Sequence, residues 1–166
     1  NVRSGKLLTI ADNALVSGGN AASNGGNIYV NAWANNNTPV TINMTGGTVE
    51  KGVAAKQGGN FYLPAGAKLN ITGGKIHDGE ALNHGGNIVA YTTLNISGGE
   101  IYNGKAALRG GNISTYGNYG KITVTGGHIH DFVQETLRLT ELLTRWLLTC
   151  TAQTSLCSLL LADLLS

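Results

Sequence analysis

The chain has 166 residues, enough for one hydrophobic core. Its 11 basic and 9 acidic residues leave a net charge of +2, which excludes the strongly basic footprint of a nucleic-acid binder. Aromatics make up only 6% of the chain, so small aliphatics must fill the core, and glycine numbers 25 without falling at every third position, which excludes collagen.

From the N-terminus, the stretch LTIADNALVSGGNAASNGGNIYV reads as a degenerate first copy of a repeat, led by Leu8 and Ile10. Apolar and polar residues then alternate from Val40 to Met44, the signature of a half-buried strand. The same strand pattern returns at Leu69-Asn-Ile, Leu94-Asn-Ile and Ile122-Thr-Val. Each is followed by a Thr/Ser-Gly-Gly element, at Thr45, Thr72, Ser97 and Thr125, spaced 27, 25 and 28 residues apart. A brief apolar step comes next, at Val49, Ile76, Ile101 and Ile129. A third strand-like stretch follows each Gly-Gly-Asn, at Ile28, Phe61, Ile88 and Ile113. The glycine pairs supply corners with positive φ at no steric cost.

Three short strands per 25 to 28 residues, none able to form a sheet alone, predict one turn of a parallel β-solenoid per copy. Residues 1–131 then hold four to five turns, and the crossover preference favours a right-handed coil. Glycine at this density would cost a helix about 1 kcal/mol per site. A propeller blade needs about 40 residues, and a sandwich gives no reason for such regular Gly-Gly spacing.

At 132–166 the pattern stops. This segment has no glycine, asparagine or proline, and 12 of its 35 residues are leucine. Apolar spacing at Leu139, Leu142, Leu143, Trp146 and Leu147 predicts a helix. A cap on the open end of the solenoid, a membrane segment, and a stretch foreign to the repeat through a reading-frame slip are the competing explanations. The charge-free window between Arg145 and Asp163 is short for a membrane span and is broken by Thr, Gln and Ser. Both cysteines, Cys150 and Cys157, lie here at a spacing that matches no standard zinc motif. The cysteine-free body suits an exported bacterial protein. The chain starts inside repeat-like sequence without a signal peptide, so a piece of a longer chain is expected.

In a solenoid, equivalent positions stack into columns. Asn27, Asn60, Asn87 and Asn112 form one column, and Asn43, Asn70 and Asn95, continued by Thr123, form another. Both are expected to be amide ladders that hold the coils together. If the apolar steps point inward, their neighbours point out. Lys75, Glu100 and His128 then stack on one line, and Glu50, His77, Tyr102 and His130 on the next. Lys51, Asp78, Asn103 and Asp131 follow. The residues of the first two lines are the candidate binding face, with amide and charged groups for sugar hydroxyls and Tyr102 as a stacking platform. An acid–base pair for a lyase or hydrolase is the alternative reading of the same face. No column holds two carboxylates on adjacent turns, and His77 and His130 lie two turns apart, so no metal, cofactor or catalytic residue is expected.

The stretch TGGKIHDGEALNHGGNIVA resembles the Gly-Gly-Asn-Ile repeats of large bacterial cell-surface proteins. Those are taken to form right-handed parallel β-helices of the pectate-lyase-like type. The resemblance covers about residues 6–131 and implies an exported, adhesin-like role: a rigid stalk or an adhesive surface, extracellular or on the cell surface. Its expected partner is a glycan or a host or cell-surface protein. It is similar more loosely to polymorphic outer-membrane passenger repeats, but their Phe-x-x-Asn companion motif is missing.

Overall fold

The computed structural model describes residues 2–3, 5–32, 39–116 and 120–134. Strand β1 (Val2–Arg3) leads into a first coil of β2 (Leu7–Ile10), β3 (Leu15–Ser17), β4 (Asn20–Ala21) and β5 (Ile28–Asn31). The second coil is β6 (Val40–Met44), β7 (Thr48–Glu50), β8 (Val53–Ala54) and β9 (Phe61–Leu63). The third is β10 (Ala67–Ile71), β11 (Lys75–His77), β12 (Glu80–Ala81) and β13 (Ile88–Ala90). Then come β14 (Thr93–Tyr102), β15 (Gly104–Ala106) and β16 (Ile113–Thr115), and finally β17 (Lys121–Ile129) and β18 (Phe132–Gln134).

These strands pair in parallel from coil to coil in three sheets. One sheet runs β1-β5-β9-β13-β16 and another β18-β15-β12-β8-β4. The largest joins β2-β6-β10-β14 to β11-β7-β3, with β17 beside β14. The fold is therefore an all-β parallel solenoid, and three of its coils, led by β6, β10 and β14, are stacked on both sides. Among the described residues there is no helix. The leucine-rich segment, its expected helix and both cysteines lie outside the described residues, apart from Phe132–Gln134, which extend the β4–β15 sheet by pairing with β15.

Register follows the repeat. Ile42, Leu69 and Leu94 are in line, as are Met44, Ile71 and Ile96, and all six are buried. Val49, Ile76 and Ile101 form a third buried column. Each such side chain contributes about 1.5–3 kcal/mol by leaving water. The next residues in all three columns, Ile122, Val124 and Ile129 on β17, are exposed, because no described residue stacks beyond them.

Two features differ from the expectation from sequence. Each coil has a fourth segment, the strands β4, β8, β12 and β15, where three strands per copy are predicted. The inward residues of β8, β12 and β15 are Ala54, Ala81 and Ala106, all buried, and Ala21 of β4, in line with them, is half-buried. Two or three residues around an alanine show neither alternation nor β-propensity, so only the stacking reveals them. The second difference is at the Ser97-Gly98-Gly99 element, predicted as a corner between strands. Here β14 runs through it unbroken, although Gly99 keeps the expected positive φ of +82° and the register shifts against β17.

Glycine is required most plainly at Gly85 and Gly86. Gly85 has φ +61°, a left-handed conformation that other residues adopt at a cost. At Gly86 a Cβ would run into Gly111 O and the Lys105 backbone of the next coil.

Candidate functional site

The Asn27–Asn60–Asn87–Asn112 column is a continuous hydrogen-bonded ladder. Asn27 Nδ2 donates to Asn60 Oδ1 at 2.6 Å, Asn60 Nδ2 to Asn87 Oδ1 at 2.7 Å, and Asn87 Nδ2 to Asn112 Oδ1 at 2.8 Å. Asn60, Asn87 and Asn112 are buried. Each amide oxygen also clips a corner of its own coil, and each amide nitrogen reaches a carbonyl of the next coil. The Asn87 oxygen accepts from Gly79 N at 2.9 Å while its nitrogen donates to Tyr102 O at 2.8 Å. The same bonds recur from Asn27 to Glu50 O, from Asn60 to His77 O and from Asn112 to His130 O. The second column behaves alike: Asn70 Nδ2 donates to Asn43 Oδ1 at 2.8 Å, and Asn95 Nδ2 to Asn70 Oδ1 at 2.9 Å.

The ladder therefore holds the backbone of Glu50, His77, Tyr102 and His130, the inner line of the candidate face. Immediately after each of these carbonyls the chain turns left-handed, at Lys51 (φ +55°), Asp78 (+51°), Asn103 (+51°) and Asp131 (+43°). In three of these four corners the side chain reaches back to its predecessor. His77 Nδ1 lies 2.9 Å from Asp78 Oδ2, and His130 Nδ1 lies 2.8 Å from Asp131 Oδ2. Lys51 Nζ reaches Glu50 Oε1 at 3.2 Å.

The expected line is real in space: His77 is paired with Glu50 on one side and Tyr102 on the other. His77 Nε2 sits 3.2 Å from Glu50 Oε2, so carboxylates face both ring nitrogens of a side chain that is only 12% exposed. The His77 and Tyr102 rings stack at 4.6 Å with planes within 11°, and Tyr102 and His130 stack at 5.2 Å within 6°. Both faces of Tyr102 are thus covered, and the ring shows only its edge.

Glu50 is the most heavily engaged acid. It accepts from Ser17 Oγ at 3.0 Å, and the hydrogen bonds from Lys51 and Ser17 hold its carboxyl below the usual carboxylate value. A carboxyl held ionised is a poor proton donor, which argues against Glu50 as a general acid. On the outer line Lys75 Nζ pairs with Glu100 Oε2 at 3.5 Å, with both side chains about half exposed. His128 continues this line beside Glu100 and is exposed. Along this line the Gly-Gly elements leave shallow grooves, of about 510 Å³ at Asp12, Gly46, Gly47 and Lys75 and about 440 Å³ at Gly73, Gly98, Glu100 and His128. Among the described residues no three His, Cys, Asp or Glu side chains gather as metal ligands do, and no helix is long and apolar enough to cross a membrane.

Sequence reasoning missed a file of tyrosines on the outward side of the β5–β9–β13–β16 sheet. Tyr29 and Tyr62 stack at 5.3 Å with planes within 4°, and Tyr91 and Tyr116 at 5.1 Å within 14°. The pairs meet at Tyr62 and Tyr91, where the centroids are 5.9 Å apart and the planes diverge by 56°. Val89, in register with Tyr62, points outward by alternation yet is fully buried, which requires side chains to close over it. Beside the file runs a bridged column of Asn24, Gln57, His84 and Arg109. Tyr91 donates its hydroxyl to Gln57 Oε1 at 3.1 Å, and His84 packs edge-on against Tyr116 at 4.9 Å. Burial pushes the Tyr62 and Tyr116 phenols up, and burial followed by the Arg109 charge pushes the His84 imidazole down.

Comparison with protein-family models, with curated proteins and with solved structures finds no match to this chain.

Proposed function

We propose that this chain is a non-catalytic segment of a secreted or surface-displayed bacterial repeat protein, in which it serves as a rigid stalk that also offers an adhesive face. The observation that carries the reading is the unbroken Asn27–Asn60–Asn87–Asn112 ladder. The repeat commits its most regular polar residues to binding coil to coil, as a stiff rod requires. The candidate face supports it too. Its groups are engaged with each other, in the Lys75–Glu100 pair, the Glu50–His77–Asp78 cluster and the Tyr102 stack, without an acid and a base opposed across a cleft. The resemblance of TGGKIHDGEALNHGGNIVA to surface-protein repeats supplies the exported setting and the glycan or cell-surface protein as partner.

The test is turnover. The full chain is incubated with host and plant polysaccharides, and new reducing or unsaturated ends are measured. The expected result is no release above a blank. Product that disappears in Glu100→Gln or His77→Ala would instead make the same face a carbohydrate-active site.

A further inference from the structure

We propose that the outward tyrosines of the β5–β9–β13–β16 sheet are an oxidative cross-linking site, where Tyr29 couples to Tyr62 and Tyr91 to Tyr116 through carbon–carbon bonds that staple coil to coil. The proposal goes beyond the stalk reading and does not depend on it, because the coupling follows from the stacking.

Joining two phenols needs neighbouring rings, matched ring positions and access for an oxidant. Tyr29 and Tyr62 are register partners on β5 and β9, with centroids 5.3 Å apart and planes within 4°. Tyr91 and Tyr116 directly follow the register partners Ala90 and Thr115, with centroids 5.1 Å apart and planes within 14°. Both separations are close to the step of about 4.8 Å between parallel strands, so equivalent ring carbons face each other one coil apart. The Tyr62–Tyr91 joint differs. Tyr62 is in line with Val89, not with Tyr91, and the two ring planes diverge by 56°. The register therefore defines two couplings and leaves the joint between them open.

Tyr29 is 36% exposed and Tyr62, Tyr91 and Tyr116 are half-buried, so the file meets solvent at its edge. Competing oxidisable groups lie elsewhere: Met44, the one methionine, is fully buried, and no cysteine precedes Cys150. In repeats without cysteine, a tyrosine pair supplies the covalent tie that a disulfide would otherwise give.

The oxidant is hydrogen peroxide acting through a haem peroxidase. For each link, two phenols each give up one electron and the hydroxyl proton, and one peroxide is reduced to two waters. The paired radicals then join at the carbons ortho to their oxygens. Each joined carbon releases its hydrogen as a proton while its own oxygen regains one, which restores both rings.

The full chain, with Cys150 and Cys157 alkylated, is treated at high dilution with peroxide and peroxidase. Monomer is isolated, its links are mapped by peptide mass spectrometry and dityrosine fluorescence, and its urea unfolding is measured. The expected monomer is lighter by two hydrogens per link, carries Tyr29–Tyr62 and Tyr91–Tyr116, and unfolds at a higher urea midpoint than the untreated protein. Tyr29→Phe, which keeps the ring and its stack, should lose the first link and keep the second. Tyr102, whose faces are taken by His77 and His130, should enter no link. Absence of links, links only between molecules, or equal linking of the urea-unfolded chain would overturn the proposal. So would a main product joining Tyr62 to Tyr91 or containing Tyr102, or links that leave the midpoint unchanged. None of these outcomes touches the stalk, which the turnover assay and the stability of the ladder test separately.

Discussion

Gly86 and Lys51 sit at opposite extremes of what the repeat demands of single residues. At Gly86 the neighbouring coil is so close that a methyl group meets Gly111 O and the backbone of Lys105. Backbone on both sides leaves nothing to repack, so Gly86→Ala is expected to cost about 3 kcal/mol or more in urea unfolding. A loss below about 1 kcal/mol would mean that the coils separate easily there. Lys51 shows the reverse: its left-handed φ of +55° is shared by Asp78, Asn103 and Asp131, and Gly18 takes the matching corner of the first coil at +72°. Glycine, Asn and Asp tolerate that conformation, so the corner is written in the sequence. It becomes visible only when the column is read down all the copies, because Lys51 alone gives no such signal.

Among the elements, β3, β7 and β11 bring Ser17, Glu50 and His77 into one row. Glu50 joins these three strands, taking bonds from Ser17 Oγ and Lys51 and facing His77 Nε2. Its folded carboxyl is lowered from the ordinary 4.5 by the hydrogen bonds from Lys51 and then Ser17. A group depressed in the folded state stabilises above its unfolded value and loses that contribution as pH falls through its folded value. The stability difference between the protein and Glu50→Gln should therefore be full at neutral pH and begin to shrink below about pH 4.5. Urea unfolding across that range measures it, and a difference that stays constant far into the acid range would contradict the linkage.

Columns of one residue type are legible in the sequence alone, because a constant offset in the repeat is a constant position in space. Hence the Asn ladders and the Lys75–Glu100–His128 and Glu50–His77–Tyr102–His130 lines appear where the spacing places them. Contacts between columns are not legible. Nothing in the spacing says that Asn60 clips His77 O or that Asp78 turns back onto His77. The tyrosine file escapes for a related reason. Tyr29 and Tyr62 lie within their strands, whereas Tyr91 and Tyr116 lie just beyond the ends of β13 and β16. Their offsets differ, so no alignment of the copies puts them in one column.

At the scale of the whole solenoid, each coil touches only its neighbours, and stability is passed along the axis step by step. The ladder is the polar part of that chain of contacts, and Asn87 is one of its two fully enclosed links, with Asn60. Fully buried, it donates to Tyr102 O and Asn112 Oδ1 and accepts from Gly79 N and Asn60 Nδ2. Removing the amide strands partners on three successive coils. Urea unfolding of Asn87→Ala beside the unaltered protein is the most direct test of the claim that this column is structure rather than spare ligand-binding surface. The expected loss is about 3–4 kcal/mol, from several net hydrogen bonds and the buried groups left without partners. A loss under about 1 kcal/mol, the worth of a single net hydrogen bond, would contradict the claim and free the asparagine column to be read as a binding site.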